Sequence, residues 1–483
     1  MMSSQPSSLH IAFFPYLVHG HMIPTIDMAR IFARKGVKAS IICTPNNASL
    51  FSKTIERDRE QGYDISFLTI KFPSAEVGLP EGCEHGNSLY TEEMLTKFHK
   101  ATTLLQEPLE QLLKEHNPDC LVADMMYPWA TEAASSVEIP RLVFHGMSSS
   151  ARCMFDCLYR YKPHKNVESD FDPFILPGLP DQITMTKLQV PPFIKEENQD
   201  AIQIFEAELN CYGVVLNSFY ELEPAYIEHY RRVMGRKAWQ IGPVSLCNKD
   251  NEDKLQRGGL GSIYEQVYCL TWLASKEPNS VLYICFGSRF NFSAVQFLEI
   301  AKALESSGVK FIWVVNTGQE MKSDEDNEEW LPEGFEKKME GKGLIIRGWA
   351  PQVLILDQEA TGGFMTHCGW NSILEGVAAG VPMITWPLQA EQFCNEKLVT
   401  DVLRIGVGVG AQEWTRSHER KILLRKEGIE KAVSRLMVGV EAEDFRKRAE
   451  ALKEMAGKAI EQGGSSYSDL NALLEELRSI KSG

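Results

Sequence analysis

The chain has 483 residues, 44% of them hydrophobic and 24% charged, the balance of a folded protein of two or three domains rather than of a disordered chain. Its 65 acidic side chains against 50 basic ones leave a formal net charge of -15, so the basic footprint that nucleic acid or an anionic membrane surface requires is missing. An anionic small molecule stays admissible, because a few donors at a helix end hold phosphate even on an acidic protein.

No basic run precedes the first apolar stretch, residues 11–18, which is far too short to span a bilayer. No later stretch reaches the roughly 20 apolar residues of a spanning helix, so no integral membrane association is expected. Eleven scattered cysteines, an odd number without a C-x-x-C pair, read as reduced thiols of a cytoplasmic protein.

In chain order, residues 9–18 read as a buried strand, 22–34 carry helical spacing, and Lys38–Cys43 reads as the next strand. Residues 120–123 and 141–144 are further strands. A polar, glycine-bearing stretch at 248–262 reads as a linker. Beyond it, 281–286, 311–315, 343–346 and 383–386 read as strands, with helical patterns at 294–305 and 371–379. Gly406, Gly408 and Gly410 imitate a dinucleotide fingerprint but lack the helix and acidic residue that should follow, so they read as part of a strand. Residues 441–481 are helical and charged. Alternation of unbroken apolar strands with helices predicts an α/β protein of two doubly wound domains facing across a cleft. The expected limits are an N-terminal domain over 1–247, the linker, a C-terminal domain over 263–458, and a closing helix over 459–483 that packs back on the first domain.

The segment 349–392 is dense in chemistry. Gly362 and Gly363 lead into a short apolar strand ending at Thr366 and His367, with Cys368, Gly369 and Trp370 as the turn. A helix then opens at Asn371 and Ser372 and closes at Gly380, before Pro382. First-turn amides and the positive dipole end suit a diphosphate; Asn371, Ser372 and His367 add side-chain donors. Glu375, four residues after Asn371, shares its face and offers a carboxylate to two ribose hydroxyls. Singly, Asn371 and Ser372 read equally well as helix caps; the ordered string argues for a nucleotide.

In the first half, His21 follows the first strand and precedes Pro24, which is expected to open the next helix. Asp124 ends a later strand on the same rim. A histidine whose ordinary pKa is about 6.5, oriented by a buried carboxylate, suits removal of a proton from an alcohol. His19, with His21, forms an H-x-H pair able to chelate a metal, but no third ligand cluster accompanies it.

The 349–392 segment resembles, from its opening tryptophan to its closing glutamine, the C-terminal signature box of plant family 1 UDP-sugar glycosyltransferases. Phe13-Phe14-Pro15, His19 to Pro24, Val122 to Met125 and Trp239 to Val244 are similar to the same family's N-terminal half. The resemblance implies the two-domain GT-B fold and inverting transfer of a sugar from UDP-sugar to a hydroxyl, with no metal and no cofactor beyond the donor. It implies His21 as base and Asp124 as its partner; Trp349, Ala350 and Gln352 at uracil and ribose; Glu375 at the ribose diol; and Ser288, His367, Asn371 and Ser372 at the diphosphate. Trp370, Glu391 and Gln392 would meet the sugar, and glutamine at 392 accompanies UDP-glucose in that family. The wording around residues 11–30 is nearest the subgroup acting on flavonoids, other phenolics and triterpenoid or steroidal aglycones. Transfer to carbon, or of galactose or xylose, is the alternative within the class. The partners implied are a small-molecule acceptor and UDP-sugar, on a monomer. Acceptor loops are expected at 82–93, 125–129, 145–150 and 190–204, with Tyr90, Tyr127, Phe193 and Ile204. Met147 and Arg289 depart from the residues that relatives carry there.

Overall fold

The computed structural model describes residues 8–86, 89, 91–257, 263–287, 292–315, 330–416 and 422–482. In the first half, β1 (His10–Phe14), β2 (Lys38–Cys43), β3 (Ile65–Thr69), β4 (Cys120–Asp124) and β5 (Arg141–His145) precede a small antiparallel hairpin of β6 (Pro173–Ile175) and β7 (Thr184–Thr186). With β8 (Gly213–Leu216) and β9 (Ala238–Gln240), the seven non-hairpin strands form one parallel sheet in the order β3-β2-β1-β4-β5-β8-β9. The second half builds a parallel sheet of six strands, β10 (Val281–Cys285), β11 (Lys310–Val315), β12 (Gly343–Arg347), β13 (Thr361–Thr366), β14 (Met383–Thr385) and β15 (Gly406–Gly408), in the order β12-β11-β10-β13-β14-β15. β1, β4, β5 and β13 are buried at every position, which is why they show no polar alternation.

In each sheet the winding reverses once, between β1 and β4 in the first and between β10 and β13 in the second. At such a point neighbouring connections leave on opposite faces, and a crevice opens at the carboxyl ends of the two strands. The two crevices define where ligands can sit.

Local departures from the sequence reading have local causes. The first strand ends at Phe14 rather than at 18, because Pro15 carries no N–H for a ladder bond. Helix α1 (His19–Ala33) starts earlier than expected and carries Pro24 inside it rather than at its opening. After β5, helix α2 (Ser149–Tyr161) opens with Ser148 as its cap, the hydroxyl accepting from Ala151 N. The expected linker is not a solvated tether over its first half. It contains helix α3 (Asn251–Gln256), and Asn248 and Asp253 are buried against α1: Arg30 donates to Asn248 Oδ1 at 2.5 Å, to Asp253 Oδ2 at 2.6 Å and to Asp58 Oδ2 at 2.5 Å. Of its charges, Asp253 and Arg257 are spent on buried counter-charges. Residues 258–262 lie outside the described part.

Gly362 and Gly363 lie within β13 instead of before it. A Cβ at Gly362 would stand 2.3 Å from the Asn279 carbonyl oxygen, and one at Gly363 would stand 2.6 Å from Met437 Sδ. Helix α4 (Trp370–Ala379) follows, capped by Gly369 rather than by Asn371, and stops at Gly380 in the left-handed region. Helix α5 (Gln392–Lys397) follows β14. The closing region is two helices, α6 (Ala442–Ile460) and α7 (Ser465–Ser482), broken where a Cβ at Gly464 would lie 2.1 Å from the Lys458 carbonyl. Ala449, Ala456 and Ala459 of α6 pack in the second domain, whereas Leu470, Leu473, Leu474 and Leu477 of α7 pack in the first. Each buried leucine contributes about 2 kcal/mol, more than the exposed Lys481–Asp119 pair beside them, so the apolar face holds α7 in place. One apolar cluster also runs between the domains, from Met147, Phe155 and Ile194 to Phe286, Trp386 and Leu388. Among the described residues no helix is long and apolar enough to cross a membrane.

Candidate active site

His21 and Asp124 lie at the carboxyl ends of the two strands that flank the first reversal, β1 and β4. His21 lies in the first turn of α1 and Asp124 ends β4; Nδ1 and Oδ2 are 2.7 Å apart. The Asp124 side chain is wholly buried and that of His21 is 27% exposed. The second carboxylate oxygen accepts from Met126 N at 2.9 Å, so Asp124 is fixed on both sides. With Nδ1 committed, Nε2 is the nitrogen able to take a proton from a ligand. The ring meets Tyr16 edge-on at 5.6 Å, and a Cβ at Gly146 would lie 3.6 Å from it, in van der Waals contact, so the 145–150 loop packs beside the imidazole.

Across the cleft, β13 leads through His367, Cys368 and Gly369 into α4, at the second reversal. Cys368 sits at φ 65°, a left-handed turn that aims the first amides of α4 outward. The His367 ring lies between two glycines: a Cβ at Gly287 would be 2.8 Å from it and one at Gly369 2.5 Å. Burial lowers its pKa to about 4, so it is a neutral donor, and among the described residues its Nδ1 has no hydrogen-bond partner. A buried, unpartnered nitrogen beside a helix start fits an oxyanion. Ser288, also expected here, lies outside the described residues; Gly287 before it has φ 83°.

The residues expected at the nucleoside gather beside this turn. Gln352 Nε2 donates to Glu375 Oε2 at 2.6 Å and to Ser372 Oγ at 3.3 Å, while Tyr283 OH donates to Gln352 Oε1 at 3.4 Å. Ala350 is buried, and Trp349 is half-buried with its ring 5.3 Å from that of His19. His19 therefore stands beside Trp349; among the described residues no group of three or more His, Cys, Asp or Glu side chains is placed to hold a metal ion. The other Glu375 oxygen pairs with Arg257, which also bonds Asp27 Oδ2 at 2.9 Å.

Of the expected sugar contacts, Trp370 departs most. Its indole is buried and donates to the Asn217 carbonyl at 2.7 Å, so the side chain joins the domains and only its backbone faces the turn. Gln392 Oε1 accepts from Leu388 N and Gln389 N, both at 2.9 Å, leaving its Nε2 to donate. Burial raises the Glu391 pKa, against the opposing pull of the His21 charge and of hydrogen bonds including one from Asn395. Glu391 is half-buried and within electrostatic reach of His21. Asn371 Nδ2 donates to the Gly20 carbonyl at 2.6 Å, which brings the start of α1 against the start of α4.

The acceptor side is built differently from expectation. Tyr127 is core: it is fully buried, stacked at 4.4 Å on Phe14, with its hydroxyl on the Pro15 carbonyl. Tyr90 and Arg289 lie outside the described residues. Phe193 is half-buried, edge-on to Trp414 at 6.3 Å, and Ile204 is half-buried on its helix. His145 is buried and bonds Glu208 Oε2 at 2.7 Å, a carboxylate also held by Arg152, Arg236 and Tyr230. Met147 is buried in the interdomain cluster. Sequence reasoning missed Arg257, Asn217, Asn395 and Trp414, each tied to the site by a partner distant in the chain; only Pro24, a proline inside a helical pattern, left a local signal.

Residues 87–419 match the family model described as UDP-glucoronosyl and UDP-glucosyl transferase. The chain is 55% identical, over 98% of each sequence, to the anthocyanin 3'-O-beta-glucosyltransferase of Gentiana triflora. It is 54% identical to the scopoletin glucosyltransferase of Nicotiana tabacum, over 98% of this chain and 99% of that one. Its fold superposes on the crystal structure of Glycyrrhiza uralensis UGT73P12, complexed with glycyrrhetinic acid 3-O-monoglucuronide, with a TM-score of 0.92 and 43% identity, over 98% of this chain and 96% of that one.

Proposed function

This chain belongs to the UDP-glucoronosyl and UDP-glucosyl transferase family, and we propose that it is an inverting O-glucosyltransferase that uses UDP-glucose on a hydroxyl of a small lipophilic metabolite of the flavonoid, phenolic or triterpenoid kind. The supporting observation is the bonded His21–Asp124 pair standing at one winding reversal opposite the start of α4 at the other, the two joined by the Asn371–Gly20 bond. The glucosyltransferase names of relatives at 55% and 54% identity, and Gln392, support glucose as the sugar.

In this reading the acceptor hydroxyl gives its proton to His21 Nε2 as its oxygen bonds the anomeric carbon. The imidazolium so formed is held by Asp124. The bond from that carbon to the diphosphate oxygen breaks on the opposite face, and UDP leaves with the electron pair. Its charge is met by the amides of α4, its dipole, His367 and the second N–H of Asn371, with Ser372 and Ser288 alongside. One displacement turns an α-linked donor into a β-glucoside. Trp349, Ala350, Gln352 and Glu375 take the uridine, and Trp370 backbone, Glu391 and Gln392 the sugar. His21→Ala tests this directly: turnover is expected to fall about 1,000-fold or more while calorimetric affinity for UDP is unchanged. Wild-type turnover in that variant would remove His21 as base.

A further inference from the structure

We propose that Asn395 is a positioning residue for the sugar half of the donor, holding the Glu391 carboxylate in register with the diphosphate turn and with the acceptor loop. The proposal rests on the assignment of Glu391 to the sugar made above. Asn395 is wholly buried on α5 and uses its whole amide. One N–H donates to the Cys368 carbonyl at 2.9 Å, the other to Glu391 Oε1 at 3.1 Å, and Oδ1 accepts from Ser148 Oγ at 3.2 Å. These partners belong to three parts of the site: the left-handed turn before α4, the carboxylate within electrostatic reach of His21, and the start of α2 in the other domain.

A buried asparagine that only satisfied backbone groups would not need this set. Glu391 precedes α5 and stands four residues before Asn395, so the two lie on one face. A glutamate there has several rotamers open to it, and one bond from an immobile amide selects among them. The Cys368 turn carries the cost of a non-glycine residue at φ 65°, and the bond to its carbonyl secures it. Movement of the diphosphate turn is thereby transmitted to the sugar carboxylate. Ser148, which also caps α2, carries the same register to the 145–150 loop.

The test is a double-mutant cycle on the full-length chain, with kcat and KM for UDP-glucose and calorimetric Kd for UDP, which lacks the sugar. Asn395→Asp keeps the volume but replaces both N–H donors; Asn395→Ser serves if the aspartate variant does not fold. Either is expected to lower kcat/KM for UDP-glucose about 30-fold with less than about a threefold change in Kd for UDP, and to cost no more than about threefold in a Glu391→Gln background. Equal losses in both backgrounds, or equal weakening of UDP and UDP-glucose, would overturn the proposal. Glu391→Gln alone separates the two levels: an unchanged kcat/KM there sinks the sugar assignment, whereas a fall there with no coupling to residue 395 sinks only the role of Asn395.

Discussion

Asn371 reaches the Gly20 carbonyl at 2.6 Å because the residue four positions after Gly20, the one whose N–H would normally claim that oxygen, is Pro24. A proline inside a helix usually costs about 3 kcal/mol, through the missing bond and the clash of its ring. Here the freed oxygen is used by the other domain, at the turn of α1 that carries His21.

Pro24→Ala should therefore separate stability from activity. The new N–H restores the helical bond to Gly20 and competes with Asn371 for that oxygen. The apparent Tm is expected to rise and kcat/KM to fall about 5- to 10-fold, by differential scanning fluorimetry and steady-state kinetics. Unchanged kinetics together with a raised Tm would show that the interdomain bond does not align the reacting groups.

The legible parts of the molecule were those whose cause is local. β1, β4 and β13 are apolar because both faces are covered, and the helix after β13 ends where Gly380 and Pro382 end it. The linker was misread because composition alone does not distinguish charges that face water from charges spent on a buried partner such as Arg30. Tyr127 was assigned to the acceptor loops for its type and position, yet Phe14 and Pro15, more than a hundred residues earlier, make it core. Asn395 gave no signal, since its partners Cys368 and Ser148 lie 27 and 247 positions away.

Arg257 bridges Asp27 of α1 and Glu375 of α4, with only 9% of its side chain exposed. Removing one member of a buried pair costs about 3–5 kcal/mol, because the remaining charges lose their counter-ion. Arg257→Ala should lower the apparent Tm by several degrees. If Glu375 receives the ribose hydroxyls, UDP replaces part of what Arg257 supplied, and saturating UDP should raise the variant's Tm by more than it raises that of the native protein. An equal UDP shift in both would count against Glu375 as the ribose acceptor.

His367 gives a pH signature. Burial holds its pKa near 4 against an ordinary 6.5, so between those values the unfolded chain binds the proton and the folded one does not. Stability contributed by the neutral ring is thus complete above pH 6.5 and is lost as pH falls toward 4. A diphosphate beside the ring favours the cation, so UDP binding should take up a proton and strengthen as pH falls in that window. Calorimetric Kd for UDP measured from pH 7.5 to 5.5 checks this. His367→Gln should lose the extra dependence and keep only that of the nucleotide, and parallel profiles would place His367 away from the phosphates.

Glu396, next to Asn395 on α5, works in the opposite direction. Burial raises its pKa from 4.5 to about 7, despite the Lys397 charge and a bond from Thr385 Oγ1 at 2.8 Å. Between pH 4.5 and 7 the folded state holds a proton that the unfolded chain has released, so stability falls as pH rises through that window and the penalty is complete above 7. The size is about 3 kcal/mol for a group this buried. Glu396→Gln keeps an acceptor for Thr385 and removes the charge. It should stabilise the chain by up to about 3 kcal/mol at pH 8 and by almost nothing at pH 4.5, read from urea unfolding at the two values. A stability gain of the same size at both would mean that folding does not shift the proton affinity of the Glu396 carboxyl, and that the substitution acts through packing of α5 alone.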